Sequence, residues 1–237
     1  MRLRLVFVLA AASLAACVQP SKPEPKTDDE KAMYSLGVLL AKQFNVETFD
    51  LTDQEMAMVN AGLADGARDK LKIKEDEVRA MIPKLQELQG KRMAAMVKRE
   101  KDAGTAYVTK AAAESGMEKL EGGLLYKVVK EGTGASPKAT DRIKMEYEGR
   151  FVDGKVFDSS KEHGQPLEIG LNEVIPCWTE GVQHMKVGGK AQLVCPPEIA
   201  YGDQVQPPMR ADATLVFDVE LLEIVKPGAA TPGAPPK

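Results

Sequence analysis

Aromatic side chains cluster in four short segments of the C-terminal half of the chain, and one acid, Asp158, follows directly after one of the rings. The first segment runs from Tyr147 to Ser160 and combines an alternating strand pattern, an Asp-Gly turn and the adjacent pair Phe157 and Asp158. The other three segments are 174–178 (Val-Ile-Pro-Cys-Trp), 200–202 (Ala-Tyr-Gly) and 213–217 (Ala-Thr-Leu-Val-Phe). Rings that surround a single acid predict a pocket for a ligand that is apolar, ring-shaped and uncharged.

The segments between residues 122 and 226 carry the pattern of a curled antiparallel sheet around one short helix, which is an α+β domain. Alternating apolar and polar residues predict the strands, and Asp153-Gly154 predicts a hairpin turn between two of them. In the last strand, Phe217 and Val219 should face inward. The predicted strands are 124–130, 142–149, 167–169, 190–195 and 214–225, and the predicted helix lies near 178–185.

Helical patterns replace the strand patterns in residues 27–121. Capping boxes begin at Thr27 and Thr52, and apolar residues follow each of them at helical spacing, as far as a plausible stop at Gly66. A small helical module with apolar stripes and few aromatic residues predicts a dimerisation domain. The alternative is a compact monomeric bundle.

A third helical pattern extends from about Glu75 toward Ala113. As one helix it would be roughly 60 Å long, although Pro83 should kink it or mark its true start. A lone helix of this length has nothing to pack on, so we interpret it as a stalk that joins the dimerisation domain to the C-terminal domain.

The N-terminus, residues 1–17, has the pattern of a bacterial lipoprotein signal peptide. Two arginines precede an apolar run that is too short to span a bilayer as a mature helix. The run ends in Leu-Ala-Ala-Cys at Cys17, which resembles the lipobox whose cysteine is lipidated, and Val18 after it is typical of outer-membrane sorting. Ordinary secretory cleavage near the same small residues is the alternative. The flexible segments predicted elsewhere are a proline-spaced tether, 18–26, and a disordered tail, 227–237.

The three cysteines are consistent with this interpretation. If Cys17 is acylated, Cys177 and Cys195 remain as an even pair in an oxidising compartment, which favours a disulfide. The alternative is two small buried apolar side chains. Neither Cys177 nor Cys195 has a histidine close to it in sequence that would suggest a catalytic thiol.

The net charge, the positions of the histidines and the available motifs give no support for several other classes of function. The net charge of -3 gives no support for nucleic-acid binding, which calls for a basic excess or stripe. His163 and His184 are isolated and lack the spacing of metal ligands, so surface or helix polar roles are expected for them and no metal site. The sequence also contains neither a phosphate-binding glycine loop nor a nucleophile motif.

The separated motifs give residues 123–225 a resemblance to the FKBP-type peptidyl-prolyl cis-trans isomerases. The helical extension, with Tyr34-Ser35-Leu36-Gly37 near its start, resembles the bacterial branch that includes the macrophage infectivity potentiator and FkpA-like proteins. The resemblance covers nearly all of the chain after the predicted signal peptide. It implies an enzyme whose substrate is the proline ring and its preceding amide.

The resemblance also implies roles for the pocket residues. Tyr147, Phe157, Trp178 and Phe217 would form the walls and floor, with Trp178 under the proline ring, and Val174 and Ile175 would line one side. The backbone N–H of Ile175 and the hydroxyl of Tyr201 would hold substrate carbonyls. Asp158 would sit at the pocket edge, hydrogen-bonded to Tyr147 and oriented toward the reacting amide. The alternatives are core packing for Trp178 and Phe217, a turn or cap role for Asp158, and packing with a solvated tip for Tyr201.

This chemistry needs no nucleophile, general base or cofactor. Rotation about a peptide bond costs about 18–20 kcal/mol because it breaks the amide resonance. The enzyme must therefore bind the twisted amide better than the planar one. The planar amide is the more dipolar form, and a dry aromatic pocket solvates it poorly.

Three positions depart from the family's pattern. Leu167 stands where many members have an aromatic residue, and Cys177 replaces a common glycine. The loop 203–212 lacks the usual glycine and the usual Ile-Pro-Pro, and Met209 is the best match to the isoleucine of the pocket. These changes predict lower activity or altered macrolide binding.

The resemblance implies proline-containing unfolded or partly folded polypeptides as partners, a homodimer, a lipid anchor in the membrane and macrolide inhibitors of the pocket. The expected location is the bacterial cell envelope, in the periplasm as an outer-membrane lipoprotein. The competing hypothesis is a non-enzymatic holdase chaperone, or a surface binding protein, that uses the helical arms.

Overall fold

The structure, a computed structural model, describes residues 24–204 and 209–225. The predicted signal peptide 1–17, its Cys17, most of the tether 18–26 and the tail 227–237 lie outside the described residues. Within the described ranges, no helix combines the length and the apolar character that a membrane crossing requires. The chain divides into two compact units, one that ends at Glu47 and one that begins at Thr48.

The first unit contains helix α1, Asp28–Gln43, which begins at the predicted capping box. The hydroxyl of Thr27 accepts from the backbone N–H of Glu30 at 3.2 Å, and the Glu30 carboxylate accepts from the Thr27 N–H at 3.0 Å. None of the α1 residues is buried, and apolar side chains such as Met33 and Leu39 are about two-thirds exposed, at 67% and 65%. These apolar side chains of α1 are thus exposed in the part of the chain that the structure describes.

Arg92 joins three helical segments at the start of the second unit. The second predicted capping box is present, with Glu55 closing it onto Thr52. Arg92 pairs with the Glu55 carboxylate and also donates to the backbone oxygen of Phe49 at 2.8 Å. The helices concerned are a 3₁₀ helix, Val46–Phe49, α2, Asp53–Gly66, and α4, Ile82–Ala112.

The predicted third helix is two helices. A short α3, Glu75–Ala80, ends at Met81, and α4 then begins with Pro83 in its first turn. Proline is tolerated there because the first N–H groups of a helix have no intrahelical partner. The 31 residues of α4 span about 46 Å, so the expectation of one helix of roughly 60 Å is wrong.

A single antiparallel sheet follows α4 within the described residues. Its strand order is β1-β2-β6-β7-β3-β4, with β5 also paired to β3. The predicted strands are confirmed to within two residues and the hairpin turn is present, but β1 and the bounds of β4 were not predicted. The strands are β1, Met117–Lys119, β2, Leu125–Lys130, β3, Arg142–Phe151, β4, Val156–Ser159, β5, Leu167–Gly170, β6, Lys190–Cys195, and β7, Leu215–Val225. The remaining elements are α5, Pro176–Gln183, and two 3₁₀ helices, Glu121–Gly123 and Pro197–Ile199.

The sheet packs a helix on each of its two faces. One face holds the main core together with α5, and Phe217 and Val219 of β7 face it as predicted. On the opposite face, the C-terminal part of α4 packs on strand residues through a second, smaller core. The buried members of that second core are Ala111, Leu125, Val194 and Val216. The expectation that α4 has nothing to pack on is therefore wrong for its C-terminal part.

The Glu55–Arg92 contact generates a pH-dependent prediction. Hydrogen bonds from Arg92 and then from Thr52 lower the pKa of Glu55 from its ordinary 4.5 to about 2. A carboxylate with a lowered pKa stabilises the fold above its ordinary pKa, and that contribution is lost as the pH falls through the lowered value. Glu55→Gln keeps the capping pattern and removes the charge. We expect it to lower the melting temperature at pH 7, by an amount that shrinks between pH 4.5 and pH 2.

Thermal unfolding followed by circular dichroism across that pH range is the measurement. Glu77→Gln, at an exposed acid on α3, is the control for the loss of one surface carboxylate and should lower the melting temperature at pH 7 less than Glu55→Gln does. A Glu55→Gln variant that melts with the parent at pH 7, or whose deficit persists at pH 2, would contradict the assignment.

Candidate active site

Five aromatic rings contact one another in a continuous series on the α5 face of the sheet. Trp178 of α5 lies edge-on to Tyr147 of β3, with ring centroids 5.1 Å apart, and edge-on to Phe217 of β7 at 5.0 Å. Phe217 in turn contacts Phe157 of β4 at 5.7 Å, and Phe157 contacts Phe151 at 5.0 Å. Edge-to-face pairs at these distances add attraction beyond their apolar burial. We call these five residues the aromatic cluster.

Gly149 makes room for the aromatic cluster. It lies on β3 between Tyr147 and Phe151, and a Cβ atom built on it would lie 2.7 Å from Phe157 and 2.8 Å from Phe217. Real Cβ contacts are essentially never that short, so these two rings meet only because the position has no side chain. The glycine within the predicted strand therefore has a packing function.

Ring packing, with no hydrogen bond, holds Trp178 in place. Its side chain is 6% exposed, and the indole N–H is buried without a hydrogen-bond partner among the described residues. A buried donor without a partner costs free energy, so the favourable terms must come from the apolar contacts of the indole. The indole contributes an apolar surface at the centre of the cluster.

Asp158 is held at the edge of the aromatic cluster by Tyr147. The phenolic hydroxyl of Tyr147 donates to Asp158 Oδ2 at 2.6 Å. The backbone of Ser160 donates to the Tyr147 carbonyl oxygen at 3.0 Å, and the Tyr147 N–H donates to Ser160 Oγ at 3.2 Å. This pairing of β3 with the end of β4 fixes the acid beside the ring and leaves its side chain 39% exposed.

His163 is a contact of Asp158 that the sequence analysis missed. Its Nε2 lies 2.8 Å from Asp158 Oδ1, so the carboxylate is bound by Tyr147 on one oxygen and by His163 on the other. The turn after β4 brings the histidine back, with the Glu162 N–H donating to the Ser159 carbonyl oxygen at 3.1 Å. A polar side chain five positions after the acid, across a serine-rich turn, was the available signal.

Both tyrosines of the site keep their protons. Burial, together with the hydrogen bond to Asp158, raises the pKa of Tyr147 far above its ordinary value of 10. Burial, and then the negative charge of Asp158, raises the pKa of Tyr201. The Tyr201 hydroxyl has no hydrogen-bond partner among the described residues, and its side chain is partly exposed. Within the described ranges, its hydroxyl proton is therefore not engaged, and the charge of Asp158 acts on it.

The remaining predicted lining residues pack against the main core of the domain. They are partly buried against the core that contains Trp178 and Phe217, and they are Leu167, Val174, Ile175 and Met209. Ile175 is the N-cap residue of α5. Its backbone N–H makes no hydrogen bond within the described parts of the chain, as is usual at the start of a helix. These four side chains therefore pack on the same core as Trp178 and Phe217.

A disulfide joins Cys177 to Cys195, whose Cα atoms are 5.8 Å apart. Cys177 precedes Trp178 in α5 and Cys195 ends β6, so the bond fastens the helix that carries the indole to the sheet beneath it. Both cysteines are fully buried. Over residues 24–204 and 209–225, no three side chains of His, Cys, Asp or Glu are grouped so that they would hold a metal ion.

Comparison with protein families matches the chain in two parts. Residues 134–222 match the model described as FKBP-type peptidyl-prolyl cis-trans isomerase. Residues 29–128 match the model of the domain amino-terminal to that isomerase. The aromatic cluster, Asp158 and Tyr201 all lie in the first of these two matched ranges.

Individual relatives match over most of their length. The chain is 38% identical to the FKBP-type peptidyl-prolyl cis-trans isomerase FkpA of Escherichia coli K12, over 95% of this chain and 86% of the relative. It is 32% identical to the outer membrane protein MIP of Legionella longbeachae, over 95% and 98%. The crystal structure of FkpA from Escherichia coli superposes with a TM-score of 0.62 at 36% identity, over 84% of this chain and 97% of the other.

The contact between Gly149 and the rings generates a stability prediction. Gly149→Ala would force Phe157 and Phe217 apart, and overpacking of this kind costs about 1–3 kcal/mol. We expect the melting temperature to fall by several degrees and the near-ultraviolet signal of the aromatic residues to change.

Gly90→Ala is the matched control, because Gly90 lies inside α4 and a Cβ atom there meets nothing within 4 Å. Alanine is the better helix former, so Gly90→Ala should leave stability unchanged or raise it by about 0.5–1 kcal/mol. If both variants melted alike, the space at Gly149 would not be needed for ring packing.

Proposed function

Because this chain belongs to the family of FKBP-type peptidyl-prolyl cis-trans isomerases and is an enzyme of that type, we propose that the aromatic cluster with Asp158 and Tyr201 is its isomerase site. The observation that carries this assignment is the convergence of Tyr147, Phe157 and Phe217 from three strands onto the face of the sheet where Trp178 lies. In the proposed complex, the proline ring stacks on the indole of Trp178.

The aromatic cluster accelerates rotation in this proposal because it disfavours the planar amide relative to the twisted amide. The planar X-Pro amide is the more dipolar state, and rings surrounding it cannot replace the water that solvates that dipole. The twisted amide has lost its resonance and with it much of the dipole, so it loses less on entering the pocket. Since only interactions that favour the transition state over the ground state raise the rate, apolar walls suffice, and no bond is made or broken.

Asp158 adds an electrostatic contribution in this proposal. The planar amide carries more negative charge on its oxygen than the twisted amide does. A carboxylate oriented toward that oxygen therefore disfavours the planar state. Tyr147 and His163 each bind one oxygen of Asp158 and so fix its direction. The carboxylate acts as an oriented charge and takes no proton from the substrate.

Two hydrogen-bond donors position the peptide backbone. The Ile175 N–H and the Tyr201 hydroxyl both lack a hydrogen-bond partner within the described ranges. We assign each of these donors to one carbonyl oxygen of the peptide, next to the proline. Leu167, Val174 and Met209 complete the apolar lining. Because Leu167 offers less surface than an aromatic side chain, this chain is proposed to accept different residues before proline and to bind macrolides less tightly.

The helical part is proposed to be a homodimerisation domain, residues 27–121, that precedes the isomerase domain, residues 122–226. The exposed apolar side chains of α1, such as Met33 and Leu39, support this proposal. An isolated helix of 16 residues is only marginally stable in water and gains most of its stability from packing. A second copy of the chain supplies the packing surface.

The proposed location is the bacterial cell envelope, where unfolded proline-containing polypeptides are the substrates. The relatives support an envelope location, since one of them is named an outer membrane protein. Lipidation at Cys17 is proposed to anchor the chain, with the tether 18–26 giving reach. The disulfide between Cys177 and Cys195 is consistent with an oxidising compartment.

Holdase activity is the second candidate, and the exposed apolar residues of α1 and α2 favour it. Met33, Leu36 and Phe44 of the first unit and Met58 and Leu63 of α2 are each more than half exposed. Those of them that a second copy of the chain does not cover would bind unfolded segments without any isomerisation. The two functions are compatible in one chain, so they must be separated by variants.

Phe157→Ala and Asp158→Ala test the isomerase site. We expect each variant to lower kcat/KM for a prolyl tetrapeptide by about tenfold or more, which corresponds to about 1.4 kcal/mol of transition-state stabilisation. Both variants should still suppress aggregation of a chemically unfolded protein, because α1 and α2 are intact.

Phe44→Ala is the matched control, since Phe44 is 65% exposed and belongs to the first unit. It should leave peptide isomerisation at the level of the parent and weaken aggregation suppression. Full isomerisation in both pocket variants would show that the reaction takes place elsewhere on the chain.

A further inference from the structure

Arg210 connects three parts of the chain that are far apart in sequence. It follows Met209 in the segment that leads into β7, and its Nη1 lies 3.1 Å from Oε1 of Glu100 in α4. The same atom lies 2.8 Å from Oδ2 of Asp153, in the turn between β3 and β4. The guanidinium carbon also lies 4.1 Å from the ring centroid of Phe151. One side chain thus binds a helix, a hairpin turn and a ring.

The Arg210–Glu100 pair is more shielded from water than an ordinary surface ion pair. The side chains of Arg210 and Glu100 are only 28% and 20% exposed, so water screens their attraction less than it would at an open surface. A guanidinium keeps its charge at all relevant pH values and stacks on rings in a way that an ammonium does not. Removing Arg210 would leave the Glu100 carboxylate partly buried without this cation.

Two further contacts fasten the same segment to α4. Lys101 Nζ lies 3.3 Å from Oδ2 of Asp212. Gly104 of α4 lies directly against Thr214, since a Cβ atom on Gly104 would come within 2.4 Å of the Thr214 hydroxyl oxygen. One face of α4, one helical turn long, therefore contacts the chain on both sides of Asp212.

Residues 209–214, which these contacts hold against α4, form part of the wall of the proposed isomerase site. Met209 packs against the core that contains Trp178 and Phe217. The backbone N–H of Asp212 donates to the carbonyl oxygen of Gly202 at 2.7 Å, which ties the segment to the residue after Tyr201. Phe151, under the guanidinium, is the end ring of the aromatic cluster and contacts Phe157. Movement at Arg210 would therefore reach the site through both the segment and the ring.

We propose that Arg210 is a positioning residue that locks the substrate-binding wall of the site to α4, so that this helix takes part in substrate recognition. The inference rests on the proposed isomerase site. The wall concerned is the one that carries Met209 and adjoins Tyr201, and it contacts residues flanking the proline. Loosening it weakens binding of the peptide more than it slows rotation of the amide, because the indole and Asp158 are held by other contacts.

The test uses the full chain after its predicted signal peptide. Three variants change the two partners of the Arg210–Glu100 contact. Arg210→Gln and Glu100→Gln each remove one partner, and Arg210→Gln/Glu100→Gln removes both. We expect each single variant to raise KM for prolyl tetrapeptides by about three- to tenfold with kcat within about twofold of the parent. The double variant should be no worse than the worse single variant, since the two residues act through one contact.

Arg99→Gln is the matched control. Arg99 is the neighbour of Glu100 on α4, but it pairs with Asp50 at 2.5 Å and serves a different contact. Its kinetic constants should equal those of the parent. Arg210→Lys should recover only part of the loss, because the ammonium keeps the charge without the planar fork. If Arg210→Gln is too unstable to assay, Glu100→Gln tests the same contact from the helix.

Two results would overturn the inference. One is an unchanged KM in both Arg210→Gln and Glu100→Gln, measured well below their melting temperatures, with only a lower melting temperature. The other is the same change in Arg99→Gln as in Arg210→Gln. Failure of the proposed site is distinguishable, because in that case Phe157→Ala and Asp158→Ala would retain full isomerisation whatever the Arg210 variants do.

Discussion

The edge-to-face packing of Trp178 between Tyr147 and Phe217 is the interaction on which the rest of the site depends. It sets the distance between α5 and the sheet, because the indole is on the helix and the two partners are on β3 and β7. Gly149 and the Cys177–Cys195 bond both serve this packing, one by leaving space and one by fastening the helix. The packing also positions Asp158 indirectly. It places the Tyr147 ring, and the Tyr147 hydroxyl donates a hydrogen bond to the Asp158 carboxylate.

The other face of the sheet contributes to the same site by a different kind of contact. There α4 packs on Val194 and Val216 and presents Glu100 to Arg210. Ring packing on one face needs only shape and apolar surface, whereas the helix on the other face is joined by ion pairs to the segment that carries Arg210 and Asp212. Aromatic packing and ion pairs thus act on opposite faces of the same sheet.

Much of the fold and site followed from local patterns, because the causes are local. Capping boxes at Thr27 and Thr52 and the alternation through Phe217 and Val219 correctly predicted helices and strands. The docking of α4 was not predictable, since an apolar stripe does not say which surface covers it. The Arg210–Glu100 contact spans 110 residues and carries no sequence signal, and His163 reaches Asp158 only through the geometry of a turn.

The most direct test of the account is the position of a bound proline. Trp178 is the only tryptophan of the chain, so its indole N–H gives a single NMR signal that needs no assignment among several. With a peptide that contains one proline, the account predicts nuclear Overhauser effects between the proline ring protons and this indole, at peptide concentrations near KM. A peptide that is isomerised at the normal rate, but whose contacts are confined to residues 28–66, would contradict it.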